Sequence, residues 1–164
     1  MDGGPRAHVT AIDIDTRFID SLASDSIEVR RVDLREDELP QDEFDLVHAR
    51  LVLEHLTDRR QILDRLVATL RPGGWIVIED YGRRVVSDME AAGLTDIRGE
   101  GRARLIDSTS PGFDFFRLSF ESLRGAVVAA GLLSAEEAEA AAGGFDGHCR
   151  LLTPMMMAGI GRRS

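Results

Sequence analysis

The chain has 164 residues, and its 20 basic and 29 acidic side chains give a formal net charge of −9. This length predicts one domain over residues 1–164, and the acidic balance disfavours nucleic acid as a partner because it repels a phosphate backbone. The single cysteine, Cys149, allows no intrachain disulfide, and no apolar run reaches the ~20 residues of a membrane helix. We therefore expect a cytoplasmic protein without a nucleic-acid or membrane partner.

Strands and helices alternate through the first half of the chain. The first apolar run, residues 9–12, is rich in β-branched residues, which is typical of a parallel strand covered on both faces. Three further runs predict strands in the same way: 27–32, about 44–49 and 75–78. Between the third and fourth runs, Thr57 and Asp58 are good caps for a helix that Arg-Pro-Gly-Gly ends at 71–74. This order predicts a parallel sheet flanked by helices.

The remaining segments give weaker signals. Asp15 or Thr16 can cap a short helix after the first run, and Ser134 with Glu137 forms a capping box for a helix near the C-terminus. Residues 115–130 have a helical apolar pattern. A helix is also expected near 85–89, a strand within 95–106, and a last strand over 151–160.

Polar side chains follow the predicted parallel strands. Asp13 follows the first strand, Asp33 the second, His48 lies near the end of the third, and Glu79 and Asp80 close the fourth. Ligands of open parallel sheets collect at the carboxyl ends of the strands, where an acid can accept hydrogen bonds from ribose hydroxyls. Solvated loop carboxylates are the alternative explanation for any one of these residues taken alone.

Three phrases favour the first explanation together: HVTAIDID, RRVDLREDELPQDEFDLVHARLVLEHL and LRPGGWIVIED. In this order and spacing, residues 8–80 resemble the class I S-adenosylmethionine-dependent methyltransferases, in particular their small-molecule branch. The segment LLTPMMMAGIGRR resembles the last strand of that family. The resemblance implies an α/β fold with a mostly parallel Rossmann-like sheet and an antiparallel C-terminal strand. It also implies S-adenosylmethionine as cofactor and methyl transfer to a small-molecule substrate.

The resemblance assigns four residues to the adenosine part of the cofactor. Asp13 matches the acid that holds the ribose, and Ile14 the apolar residue beside the adenine. Asp33 matches the acid near the adenine amino group, and Leu34 lies beside it.

Two further residues match the methyl end of the cofactor. His48 and Ala49 fall where the family's fourth strand passes the methionine part and the methyl group. No catalytic base can be assigned, although His48, Glu79, Asp80 and Tyr81 occupy plausible positions. No metal site is expected, because His48 and His55 lack metal-ligand spacing.

The family's first strand and its glycine-rich turn have no counterpart here. Residues 1–7 contain Gly3, Gly4 and Pro5 but no strand, so the resemblance implies a chain that is incomplete at its N-terminus and binds S-adenosylmethionine weakly or not at all. The family strand order, 3-2-1-4-5-7-6 in its own count, then loses its central member. We expect residues 9–12 to pair directly with 44–49, the alternatives being a strand from a second copy or two exposed edges.

Two other functions stay open. The chain could be a non-catalytic methyltransferase-like remnant or interaction module, which keeps the sheet without binding a cofactor. It could also be half of a nicotinamide nucleotide-binding fold, where an acid after the second strand would serve as well. The glycine fingerprint of that fold is also missing, and LRPGGWIVIED favours the methyltransferase.

Overall fold

The computed structural model describes residues 7–81, 84–145 and 149–164, so that Gly3, Gly4 and Pro5 lie outside the described residues. The strands are β1 (Val9–Asp13), β2 (Ile27–Arg31), β3 (Phe44–Arg50), β4 (Leu70–Tyr81), β5 (Thr95–Arg102), β6 (Leu105–Asp107), β7 (Arg150–Leu152) and β8 (Met156–Arg162). The α-helices are α1 (Arg59–Thr69), α2 (Val85–Ala91), α3 (Phe113–Ala129) and α4 (Ala135–Phe145). The described residues form two compact units, the first within 1–80, 84–99 and 158–164 and the second within 81–83 and 100–157. The single domain expected over 1–164 stays a prediction.

The predicted α/β fold is confirmed, with its strands divided between sheets. β1 and β2 form a parallel pair, and a separate four-stranded sheet has the order β3-β4-β8-β5. β3 and β4 are parallel. The start of β4 meets the end of β8, since the Gly73 N–H donates to the Arg163 carbonyl and the Arg163 N–H to the Gly74 carbonyl. The last strand therefore runs antiparallel to β4, as expected.

The expected pairing of residues 9–12 with 44–49 is wrong. β1 forms its ladder with β2, and β3 forms its ladder with β4 in the other sheet. The loop after β2 is bonded to α1, where the Arg65 guanidinium donates to the carbonyls of Leu34 and Asp37. All five residues of β1 have a partner on β2, so the ladder of β1 is formed with the strand that follows it in the chain.

The core of the first unit lies between α1, α2 and the four-stranded sheet. α1 begins after Asp58, as predicted, and buries Ile62, Leu63 and Leu66. On β4, Ile76 and Ile78 are almost completely buried, at 0% and 1% exposure. Complete burial of one such side chain contributes about 1.5–3 kcal/mol, so this apolar layer holds the sheet in place.

Two glycines of β8 allow α2 to pack closely. A Cβ at Gly159 would lie 2.6 Å from the Met89 Sδ and 2.7 Å from the Val85 Cγ1, and one at Gly161 would lie 2.9 Å from the Met89 Cε. These separations are shorter than van der Waals contact, so the sheet accepts α2 only because β8 carries no side chains there.

Trp75 of β4 is half-buried between two neighbouring strands. It lies opposite Leu46 of β3 in the ladder, and the Arg162 guanidinium of β8 lies 5.9 Å from its ring centroid. This distance suits a cation–π contact, which adds a side-chain link to the pairing of β4 with β8.

The second unit contains an antiparallel β6–β7 pair and two helices. The predicted capping box opens α4: the Ser134 N–H donates to Glu137 Oε2 at 2.8 Å, and the Glu137 N–H to Ser134 Oγ at 3.1 Å. The predicted last strand is divided into β7 and β8 around Pro154, because proline cannot donate to a ladder.

The short helix predicted after Asp15 is a pair of 3-10 turns, Thr16–Phe18 and Asp20–Leu22. Asp15 caps the first turn by accepting from the Arg17 N–H, but neither turn buries a residue. Without a buried face so short a segment gains little from the longer α-helix. Among the described residues no helix has the length and apolarity to cross a membrane.

Candidate functional site

A cavity of about 650 Å³ lies in the first unit, between the β1–β2 pair and β3. Its wall includes all six residues to which the sequence assigns cofactor contacts: Asp13, Ile14, Asp33, Leu34, His48 and Ala49. The carboxyl ends of three strands bring them together, although they come from segments up to 36 residues apart in the chain. Their roles stay predictions, but their convergence on one cavity is a property of the fold.

Asp13 and Ile14 stand exposed where β1 ends. The Asp13 Oδ1 accepts a hydrogen bond from the Asp15 N–H at 2.9 Å, which orients the carboxylate within the turn that follows. The Ile14 carbonyl accepts from the Arg31 Nε at 3.0 Å, so that the ends of β1 and β2 are tied together. Ile14 itself is 49% exposed and offers an apolar surface beside the Asp13 carboxylate.

Asp33 already has a cationic partner. Arg35 donates from Nη2 to Oδ2 at 2.6 Å and from Nε to Oδ1 at 2.9 Å. These hydrogen bonds from the Arg35 side chain, helped by its backbone N–H, lower the pKa of Asp33 to about 2. A ligand that used the Asp33 carboxylate would therefore meet a charged group and compete with Arg35 for its lone pairs.

His48 forms a pair with Glu79 across neighbouring strands. The His48 Nε2 lies 3.0 Å from the Glu79 Oε2, and the Arg50 Nε lies 4.0 Å from the same oxygen. If Nε2 carries the proton, it donates a hydrogen bond to the Glu79 carboxylate. The other ring nitrogen, Nδ1, is then free to accept one. The pair stands at the carboxyl ends of β3 and β4, and its histidine reaches the cavity wall.

Asp80, one of the possible bases, is a buried side chain that binds backbone groups of a neighbouring turn. It is buried, and its Oδ2 accepts from the N–H groups of Leu53 at 3.1 Å and Glu54 at 3.3 Å, while its Oδ1 has no partner among the described residues. Burial, assisted by the nearby Glu54 charge, raises its pKa. Asp80 thus positions the turn Leu53–His55, whose neighbours Val52 and Leu56 line the cavity.

The sequence analysis does not assign the apolar side of this cavity or Arg35 to the site. Phe44, Leu46 and Val47 of β3 line the cavity, and their apolar run predicts a strand without indicating a site. Arg35 belongs to a local pattern, because an acid two residues before an arginine forms an ion pair at four places in this chain: Asp15–Arg17, Glu28–Arg30, Asp33–Arg35 and Glu100–Arg102. That repeat could have identified the partner of Asp33.

Comparison with known proteins agrees with this architecture. A family model described as a methyltransferase domain matches residues 2–76. Methyltransferase str2 of Strobilurus tenacellus is 49% identical over 37 residues, which are 23% of this chain and 14% of that protein.

Two solved methyltransferases show the same fold over nearly the whole chain. One is the Haemonchus contortus phosphoethanolamine N-methyltransferase 2 in complex with S-adenosyl-L-methionine, with a TM-score of 0.59, 15% identity and coverage of 95% of this chain and 43% of that one. The other is the S-adenosylmethionine-dependent methyltransferase of Mesorhizobium loti, with a TM-score of 0.54, 16% identity and coverage of 96% and 81%. These identities support the fold alone. The resemblance that the sequence predicts, and its Rossmann-like methyltransferase fold, are thereby confirmed.

Proposed function

We propose that this chain, which has the methyltransferase fold, contributes the cofactor side of S-adenosylmethionine-dependent methyl transfer to a small-molecule acceptor. The observation that carries the proposal is the convergence of the six predicted cofactor residues on one cavity wall. The matched segments cover 14% and 15% of the lengths of the two curated methyltransferases str2 and str3, so the activity of a whole methyltransferase is part of what we propose. A cytoplasmic location is part of it too, in line with a single cysteine.

The cavity suits the adenosine part of the cofactor. An exposed carboxylate at Asp13 can accept hydrogen bonds from two ribose hydroxyls, and Ile14 and Leu34 offer apolar contact to a flat base. A volume of about 650 Å³ falls within the usual range for small-molecule sites. The described lining contains no glycine, so the close backbone donors that commonly hold a nucleotide are not supplied by these residues.

When bound, the cofactor supplies an electrophilic methyl group on a sulfonium. The chain's own part is to hold the reactants in line and to exclude water. Where the methyl acceptor must lose a proton, His48 would take that proton at Nδ1. Glu79 would hold the proton on Nε2 and stabilise the resulting imidazolium. An acceptor that is already nucleophilic would need neither residue.

Titration of the protein with S-adenosylmethionine, followed by amide NMR, tests the proposal. We expect shifts at Asp13, Ile14, Asp33 and Ala49, and a dissociation constant weaker than the low micromolar range. Asp13→Ala should weaken binding by about 1–3 kcal/mol through lost hydrogen bonds to the ribose. Asp15→Ala is the matched control, because Asp15 lies two residues away and is not on the described lining.

The outcomes separate the three functions. Shifts confined to the cavity and lost in Asp13→Ala support the proposal. An absence of shifts at saturating cofactor would favour the non-catalytic module. Two observations support that alternative: the Asp33–Arg35 ion pair and a described lining without glycine. Equal or larger shifts with NAD would favour the nicotinamide fold.

A further inference from the structure

The described lining of the cavity includes three arginines, and their guanidinium groups differ in how fully they are bonded. Arg30 and Arg35 each donate two hydrogen bonds to a carboxylate two residues away in the chain. Arg50 makes no hydrogen bond within the described residues, since its Nε lies 4.0 Å from the Glu79 Oε2. The donors of Arg50 are therefore available to a ligand, whereas those of the other two arginines are partly in use.

Arg50 and His48 approach the same carboxylate oxygen. The His48 Nε2 lies 3.0 Å from the Glu79 Oε2 and the Arg50 Nε lies 4.0 Å from it. The two nitrogens are thus at most about 7 Å apart, close to the rise of two residues along a strand. The two residues stand two apart on β3, on one face of the strand. A cation and the predicted base therefore lie side by side on the cavity wall.

The backbone turns sharply after Arg50. Leu51 has a φ of 54°, in the left-handed region that a leucine rarely adopts, and its N–H donates to the Glu79 carbonyl. Backbone strain of this kind is concentrated at functional sites. The turn leads into Val52 and Leu56, which line the cavity as Arg50 does. The cavity wall thus combines an available cation with apolar side chains.

We infer that Arg50 determines the acceptor specificity of the proposed methyl transfer, on which this inference rests. The acceptor is a small molecule with a carboxylate at one end, which binds the Arg50 guanidinium, and a hydroxyl or amine at the other, which faces His48. A planar guanidinium binds a carboxylate through two parallel hydrogen bonds. The apolar lining residues Leu46, Val52 and Leu56 call for an apolar framework between the two polar ends.

A carboxylate suits Arg50 better than a phosphate does. A phosphate monoester carries about −1.5 to −2 charges at pH 7, and the Glu79 carboxylate beside Arg50 repels them. One guanidinium balances a single negative charge. The geometry therefore favours an acceptor with one negative charge.

The carboxylate is a recognition group, and the methyl group goes to the other end of the acceptor. Methylation of the bound carboxylate would remove the charge that Arg50 binds, so the guanidinium would stabilise the reactant more than the transition state. At the hydroxyl or amine, the proton passes to His48 Nδ1 and the freed electron pair forms the bond to the methyl carbon. The electrons of the broken carbon–sulfur bond stay on sulfur, which becomes a neutral thioether.

Binding of 4-hydroxybenzoate to the full chain, followed by NMR of the backbone amides and arginine side chains, tests the inference. The carboxylate and hydroxyl of this probe stand at opposite ends of a benzene ring, and 4-hydroxybenzamide is its neutral counterpart. We expect the acid to bind at least about tenfold more tightly than the amide and to shift the signals of the Arg50 Nε–H and of the Ala49 and Leu51 amides. Equal affinities of acid and amide, or tighter binding of 4-hydroxyphenyl phosphate, would overturn the inference.

Three variants test the residue. Arg50→Gln should lose the preference for the acid, and Arg50→Lys, which keeps the charge without the fork of donors, should keep part of it. Arg71→Gln is the control for overall charge, because it removes a positive side chain that is 51% exposed and outside the described lining. It should bind the acid as the parent does. An unchanged preference in Arg50→Gln, or the same loss in Arg71→Gln, would refute the role of Arg50.

These readouts need no cofactor, so the two proposals can fail separately. Acid binding that depends on Arg50, without any shift from S-adenosylmethionine, would support Arg50 as the acid-binding residue and count against methyl transfer. Cofactor binding without any preference for the acid would refute the acceptor class and leave methyl transfer in place.

Discussion

The four-stranded sheet and the β1–β2 pair are made from similar residues and are packed very differently. β4 buries every second residue from Gly74 to Asp80, whereas β1 and β2 bury none. The difference lies in their neighbours, because β4 lies between β3 and β8 in a four-stranded sheet whereas β1 has one partner strand. An isolated two-stranded unit is marginal in water, so we expect the pair to open at lower free energy than the sheet.

The largest expected effect compares one isoleucine in each region. Ile76→Ala removes a side chain with 0% exposure and should lower the free energy of unfolding by about 2–5 kcal/mol. Ile12→Ala, at 38% exposure, should lower it by less than about 1 kcal/mol. Urea unfolding of both variants measures the difference, and equal losses would show that β1 contributes as much to stability as β4.

Two glycine-to-alanine variants compare a closely packed position in β8 with an exposed position in α4. Gly159→Ala should cost about 1–3 kcal/mol of unfolding free energy, since the new methyl group meets Met89 and Val85. Gly143→Ala, in the exposed part of α4 with open space around it, should be neutral or stabilise by up to about 1 kcal/mol. Thermal unfolding of the two variants is the measurement. A Gly159→Ala variant as stable as the parent would mean that α2 can move away from β8.

The two regions also hold acids whose pKa values shift in opposite directions. Burial raises the pKa of Asp80 above its usual value, so the folded state binds its proton more tightly than the unfolded state. The contribution of Asp80 to stability is complete below the unfolded pKa and is lost as the pH rises through the raised folded pKa. We expect the stability of the parent relative to Asp80→Asn to fall over this window, as followed by urea unfolding at a series of pH values. A pH-independent difference would contradict a buried, titrating Asp80.

The smallest effect concerns Asp33, after the exposed strand. Its pKa of about 2 depends first on the Arg35 side chain, so Arg35→Gln should raise that pKa toward about 3.9. The stabilisation from the pair is present above the unfolded pKa and lost as the pH falls through about 2. Carboxyl NMR titration follows it, with Arg17→Gln, which removes the partner of Asp15, as the control. An unchanged pKa of Asp33 in Arg35→Gln would mean that hydrogen bonds from the backbone keep the pKa low.

The sequence predicts the order of the main strands and helices of the first half of the chain, and the six residues that it assigns to the cofactor line one cavity. Local signals sufficed there: β-branched runs marked β1 and β4, and the strand ends marked Asp13 and Asp33. Long-range contacts had no such signal. Arg65 contacts the loop after β2 from 31 residues away, and nothing in the local sequence pattern of either segment indicates this contact.

Trp75 is placed where its fluorescence can report on the sheet. It is the single tryptophan of the chain, and its ladder neighbour Leu46 lies on the edge strand that borders the cavity. Selective excitation would therefore report from one known place, with the Arg162 charge near the ring as a source of emission shift. Fluorescence could then follow the loss of β4–β8 pairing and events at the β3 edge without any added label.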